Sequence, residues 1–228
     1  MDTHTGPADT RMMGIVHQAL KRDLRRARAV LAEQPAPLGR QRTALGGHVT
    51  WMMDFLHAHH TSEDAGLWPA VRQRNPAAGD LLDSLEADHA QIAPAAEAVA
   101  TAATAYTSST DDTTRLTLVG ALDRLLEVLV PHLDREVAEA MPVVASTLTA
   151  AEWDAIEQEH NLDDKSPGQL AKEGHWLIED IDPEGYAVVV GKVSPVMRFV
   201  LVHGFGPAYR RGARARWTPD GSSARSPV

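Results

Sequence analysis

His59-His60-Thr61-Ser62-Glu63-Asp64-Ala65-Gly66-Leu67-Trp68-Pro69 has a counterpart later in the chain, His132-Leu133-Asp134-Arg135-Glu136-Val137-Ala138-Glu139-Ala140-Met141-Pro142. Both read His-x-x-x-Glu, with a proline six residues after the glutamate. A lone histidine precedes each, His17 before the first and His89 before the second, at nearly the same distance. The chain therefore reads as two copies of a helical hairpin, each carrying a histidine and then His-x-x-x-Glu. Two such hairpins related by a pseudo-two-fold make one bundle.

Outward from these stretches the helical period continues. Leu118, Leu122, Leu125, Leu129, His132 and Glu136 fall on one helix face, as do His48, Met52, Phe55, His59 and Glu63. Leu82, Leu85, His89 and Ile92 form the same stripe, and so do Met13, His17, Leu20 and Leu24. Each stripe is apolar until it reaches a histidine. Breakers at 35–39 and 75–79 and a polar stretch at 107–112 divide four helical segments, 10–33, 40–73, 80–106 and 113–147. Short loops between long helices predict an all-α, up-down antiparallel four-helix bundle over 10–147. Beyond it, Thr149-x-x-Glu152 and Ser166-Pro167-x-Gln169 read as capping-box helix starts, and Pro183 and Pro195 as first helical positions. We expect a short-helix C-terminal extension over 148–218, packed through Trp153, Trp176, Leu177, Ile178, 188–190, Phe199 and Leu201, and a disordered tail over 219–228.

Composition narrows the function. A hydrophobic fraction of 43% supports a core, and an aromatic fraction of only 5% favours helix over sheet. A net charge of -9 argues against a nucleic-acid partner. No cysteine is present, which excludes disulfides, iron–sulfur clusters and thiolate metal sites. The first ten residues lack a signal-peptide apolar stretch, and no run approaches the roughly 20 residues that span a bilayer. The expectation is a soluble cytoplasmic protein without stable membrane contact, its protein partner unknown.

Residues four apart on a helix share a face, so each His-x-x-x-Glu can serve one site. Counting from the breakers at 1.5 Å per residue puts His17, His59, Glu63, His89, His132 and Glu136 within about one helical turn of a common depth. Four imidazoles and two carboxylates buried without partners would cost several kcal/mol each. A metal removes that penalty, since imidazole and carboxylate are good ligands. Six ligands exceed the four of a structural zinc and suit two ions bridged by the carboxylates. Nitrogen and oxygen donors without sulfur fit iron or manganese, although zinc and copper also bind imidazole.

The order His, His-x-x-x-Glu, His, His-x-x-x-Glu resembles the hemerythrin-like (HHE cation-binding) family. The fragment His59-His60-x-x-Glu63-Asp64-x-x-Leu67-Trp68-Pro69 is similar to that family's second-helix signature. The resemblance covers roughly 10–147. It implies an oxo- or hydroxo-bridged centre of two iron ions, ahead of manganese or zinc, ligated by His17, His59, Glu63, His89, His132 and Glu136. It also implies binding of, or reaction with, a small oxidant: hydrogen peroxide, dioxygen or nitric oxide. The chain departs from the oxygen-carrying members. Ala93 stands where their third helix has a second histidine, and Glu136 where their fourth has aspartate. The site thereby loses one nitrogen. We expect a nearly symmetric arrangement, with His17 and His59 on one iron, His89 and His132 on the other, and both glutamates bridging. Such an open site favours peroxide or dioxygen handling, of a catalase-like or oxidase type, over a carrier, store or sensor of oxygen or iron.

Other polar residues read more blandly. His48 lies about three turns from His59 and is expected to be a satisfied bundle-end histidine. His60 and Asp64 either orient the ligands or form a surface pair. His57 is expected to face solvent, and His160, His175 and His203 to play no metal role. Glu86-x-x-His89 matches a ferritin-like Glu-x-x-His but fits the layer less well. Pro94 and Pro131 read as tolerated kinks, Pro69 and Pro142 as bends or helix ends, and the arginines from 210 to 216 as a solvated tail.

Overall fold

A computed structural model describes residues 6–192 and 204–219. Apart from one isolated bridge between Pro7 and Thr149, the described residues form helices and turns. The long helices are α1 (Arg11–Ala32), α2 (Gly39–Ser62), α4 (Gly79–Ser108) and α5 (Asp112–Arg135). A π-helical turn, Glu63–Leu67, joins α2 to the short α3 (Trp68–Arg74), and another, Glu136–Ala140, joins α5 to α6 (Met141–Thr147).

The long helices close a ring: α1 packs on α2 and α5, and α4 on α2 and α5. Cross-contacts fix the directions. Lys21 pairs with Asp134 and Arg28 with Asp123, so α1 and α5 run antiparallel. Arg42 donates to the Tyr106 carbonyl while His60 stacks on His89, so α2 and α4 do the same. His132 meets Asp88, and Arg42 bonds both the Tyr106 carbonyl near the end of α4 and Thr114 near the start of α5, so α5 runs antiparallel to α4. This is the up-down order that the short loops predict.

Two apolar clusters fill the interior. One holds Leu20, Leu24, Leu45, Met52, Leu56, Ile92, Leu122, Leu125 and Leu129; the other holds Met13, Leu67, Trp68, Leu82, Leu85, Met141 and Val144. Each long helix passes from one cluster to the other at its histidine. The polar groups therefore lie in a single layer between them, at the depth expected from residue counting.

Pro69 and Pro142 do not end their helices. A proline ring clashes with the carbonyl four residues back and brings no N–H. Here the turn before each proline is widened: the Trp68 and Met141 amides donate to the Glu63 and Glu136 carbonyls, five residues back. Each wide turn thus begins at a glutamate of the repeat, and π-turns inside helices are frequent at functional sites. Pro94 and Pro131 lie within α4 and α5 without interrupting them.

The chain continues through α7 (Ala150–Glu157), a π-turn (Gln158–Leu162), α8 (Pro167–Leu177), α9 (Pro183–Gly191) and α10 (Gly206–Trp217). Both expected capping boxes are present, Thr149 with Glu152 and Ser166 with Gln169, and Asp182 caps α9 ahead of Pro183. α8 and α9 pack on α1, and α10 packs on α2. The arginine run is therefore not a tail. Arg216 is buried and lies over the Tyr209 and Trp217 rings, while Arg210, Arg211 and Arg214 stay exposed. Trp217 meets His48 edge-on and Arg26 face-on. Trp153 and Trp176 are buried as expected. Pro195, Phe199, Leu201, His203 and the tail after Pro219 lie outside the described residues.

Asp23 ties the extension to the bundle. Its fully buried carboxylate accepts from His48 Nε2 at 2.7 Å, Arg22 Nε at 2.8 Å and Trp176 Nε1 at 3.1 Å. His48 is thus paired through Nε2 only; its buried Nδ1 has no hydrogen-bond partner, so the satisfied histidine expected there is found for one nitrogen of the two. Asp23→Ala leaves these donors without an acceptor and is expected to cost about 3 kcal/mol. For a chain of this size that is a fall in Tm of about 6–12 °C, read by circular dichroism. A shift below about 2 °C would show that Asp23 does not hold the extension.

Candidate metal centre

Three histidines of the layer, His17, His89 and His132, have one nitrogen tied and the other turned inward. His17 Nδ1 donates to the Leu133 carbonyl at 3.1 Å. His89 Nδ1 donates to Asp64 Oδ1 at 2.8 Å, and His132 Nδ1 lies 3.4 Å from Asp88 Oδ2. These acceptors fix the tautomer with the lone pair on Nε2, as outer partners of a metal-bound histidine do. The inward atoms converge. His17 Nε2 is 3.1 Å from His59 Nε2 and 3.5 Å from Glu136 Oε2. His59 Nε2 is 3.1 Å from Glu63 Oε1, and His89 Nε2 is 3.5 Å from Glu63 Oε2. His132 Nε2 is 3.7 Å from Glu136 Oε2.

The structure brings together all six residues singled out from the sequence and adds a seventh. His60 is buried, its ring stacked on His89 at 4.1 Å and 5.3 Å from His132. Adjacent residues on a helix diverge by about 100°. In a four-helix ring the two neighbours of one helix lie in directions about as far apart, so His59 faces α1 and His60 faces α4. The inward atoms form two groups, each within 4.8 Å: His17, His59, Glu63 and Glu136 in one, His60, His89 and His132 in the other. The arrangement is therefore not the nearly symmetric one expected. Leu133 occupies the position matching His60 in the second half of the repeat, and Val137 that matching Asp64. Where Ala93 on α4 offers no nitrogen, His60 on α2 brings one to the same group. Asp64 is no surface partner of His60 but the orienting acceptor of His89. His57 is exposed, as expected.

Electrostatically this layer lacks positive charge. Glu63 and Glu136 have both carboxylate oxygens buried without a hydrogen-bond partner, and so are Nε2 of His60, His89 and His132. Native interiors rarely leave such groups unsatisfied, and a cluster of them requires an explanation. Burial drives His17 down to about 3 and His132 to about 4. Burial and then neighbouring imidazoles depress His59 and His60. Burial raises Glu136 to about 8, and burial together with Glu136 holds Glu63 well above the ordinary carboxyl range. Neutral imidazoles offering lone pairs, beside carboxyls that ionise only next to a cation, are a donor set made for metal ions.

Searches of curated proteins and of solved structures gave no match. A family model described as "Hemerythrin HHE cation binding domain" matches residues 10–144. That span exceeds half of the chain and contains the whole polar layer, both π-turns that follow its glutamates, and Asp64 and Asp88. The chain belongs to the hemerythrin HHE cation-binding domain family.

Proposed function

We propose that the layer holds two iron ions and that the protein handles a small oxidant, hydrogen peroxide or dioxygen before nitric oxide. The observation that carries this reading is the convergence of inward atoms from five imidazoles and two carboxylates, those of His60, His89, His132, Glu63 and Glu136 being buried without a hydrogen-bond partner. Seven groups are more than one ion accepts from side chains in a structural site. His17 and His59 would serve one ion and His60, His89 and His132 the other. Glu63 reaches both groups through its two oxygens, and Glu136 through Oε2. Iron bound there supplies the electron transfer that reaction with an oxidant requires. The protein's own part is to orient the imidazoles through the Leu133 carbonyl, Asp64 and Asp88, and to shield the layer between two apolar clusters.

Elemental analysis of protein purified without added metal or chelator is expected to find about two irons per chain. The loaded protein is then expected to consume hydrogen peroxide over many turnovers. A reversible oxygen adduct with no peroxide turnover would favour a carrier or sensor, and no stoichiometric metal would end the di-iron reading.

His60 separates the two groups. His60→Leu installs the residue that the repeat carries at the matching position, Leu133, so the packing is kept. The iron content is expected to fall from about two toward one per chain, because the His17–His59 group is intact. Unchanged stoichiometry and an unchanged iron spectrum would make His60 a packing residue.

A further inference from the structure

The ion position beside His17 and His59 has one imidazole fewer than the other, and a cavity opens on that side. It has a volume of about 480 Å³ and reaches His59 and Glu63. Its floor is the bundle and its roof is the extension, α7, α8 and the π-turn Gln158–Leu162, all beyond the family match. The roof is fitted to the bundle: the π-turn Gln158–Leu162 places His160 against Gly66, where any Cβ would run into the imidazole ring. The extension therefore lies directly over the wide turn that begins at Glu63.

The walls indicate what the cavity accepts. Met13, Val16, Phe55, Trp153, Ile156 and Leu177 supply apolar surface. The charged groups at its edge are already paired, Lys165 with Glu173 at 2.7 Å and Lys192 with Asp154 at 2.9 Å. Glu157 takes a hydrogen bond from Asn161, and burial pushes its carboxyl up, toward the neutral form. Trp153 Nε1 is a buried donor without a partner. The volume lies in the range of about 300–1,000 Å³ usual for small-molecule sites, and apolar walls with few polar groups are their usual lining. Peroxide, dioxygen and nitric oxide need far less room.

We propose that this cavity binds a small uncharged organic molecule, cyclic or aromatic, and holds it against the His59 and Glu63 side of the centre. The placement beside iron rests on the di-iron reading; the cavity and its preference do not. An ionised ligand would have to bury a charge for which no counter-charge is free, so selectivity against anions and cations of the same shape is expected.

Isothermal titration calorimetry of the full chain with 1-naphthol, 1-naphthoate and 1-naphthylmethylamine tests this. 1-Naphthol is expected to saturate one site and to bind at least about tenfold more tightly than either charged analogue. Ile156→Trp, which fills the cavity, is expected to weaken 1-naphthol by a similar factor with the iron content unchanged. Leu162→Trp, at a more exposed position of the roof, provides the same test if the first variant does not fold. No saturation, tightest binding of a charged analogue, or equal affinity in the filled variants would overturn the proposal. In the iron-loaded chain 1-naphthol is expected to shift the optical spectrum of the centre. Binding without such a shift would overturn the placement at His59 and Glu63. If the chain holds no iron, the di-iron reading fails, while the calorimetric series still decides the cavity.

Discussion

Glu136→Ala is expected to remove both metal ions, not one, and Glu63→Ala to do the same. Each carboxylate stands between the two groups of imidazoles. Glu63 is 3.1 Å from His59 through one oxygen and 3.5 Å from His89 through the other. Glu136 Oε2 is 3.5 Å from His17 and 3.7 Å from His132. Removing either takes an oxygen donor from both ion positions and half of the negative charge that offsets two cations. Outer partners of metal ligands are worth about 10–100-fold in affinity, so a shared direct ligand is expected to cost more than about 100-fold at each position. Iron content should then drop from about two per chain to near zero in a single substitution, whereas His60→Leu should leave about one. Elemental analysis of the three variants, beside circular dichroism to show that the helices persist, checks the contrast. One retained iron in either glutamate variant would mean that the carboxylate serves a single ion.

Much of this centre was legible because two periodicities coincide in it. The stripes ending in His17, His59, His89 and His132 give the helices and their inward faces, and residue counts give their common depth. Both statements need only the rise per residue. Thr149 with Glu152 and Ser166 with Gln169 were legible for a similar reason, since a capping box is a local hydrogen-bond pattern.

What stayed hidden depends on non-local geometry. Stripe reasoning allots one inward face to each helix, so it accepts His59 and leaves His60 ambiguous. Only the ring of four helices gives α2 two inward directions, toward α1 and α4. The adjacent pair of histidines was the available signal, and its absence at His132-Leu133 marks the asymmetry. Pro69 and Pro142 read as bends or ends because a proline's local effect is to break a helix. That each is absorbed by a wide turn follows from packing on both sides of it, with Trp68 and Met141 buried. The arginines of α10 looked solvated by composition, yet Arg216 lies buried over Tyr209 and Trp217. The cavity under α7 and α8 has no sequence signal at all, because its two walls come from separate parts of the chain.

Stripped of metal, the protein is expected to be most stable near pH 6.5 and to weaken on both sides. Glu136 is raised from its ordinary 4.5 to about 8 by burial, and Glu63 is raised in the same direction. Between those pH values the folded chain keeps a proton that the unfolded chain has released, so stability falls as pH rises. The histidines act oppositely. His17 and His132 are lowered from 6.5 to about 3 and about 4, and His59 and His60 are lowered as well. Below 6.5 the unfolded chain binds protons that the folded chain does not, so stability falls as pH drops. Within the layer, four depressed imidazoles outweigh two raised carboxyls between about pH 4.5 and 6.5; above it the imidazole contribution fades as the unfolded chain loses its protons, and the carboxyls prevail. From pH 6.5 to 8 Glu136 by itself contributes a loss of about 2 kcal/mol. Metal reverses the upper limb: a bound cation displaces the carboxyl protons, so its affinity should rise with pH up to about 8, and the loaded chain should not weaken there. Urea midpoints at pH 5, 6.5 and 8, with and without iron, separate the cases. A stripped chain as stable at pH 8 as at 6.5 would mean that the glutamates ionise in the fold without a cation, and the electrostatic argument for the centre would lose its basis.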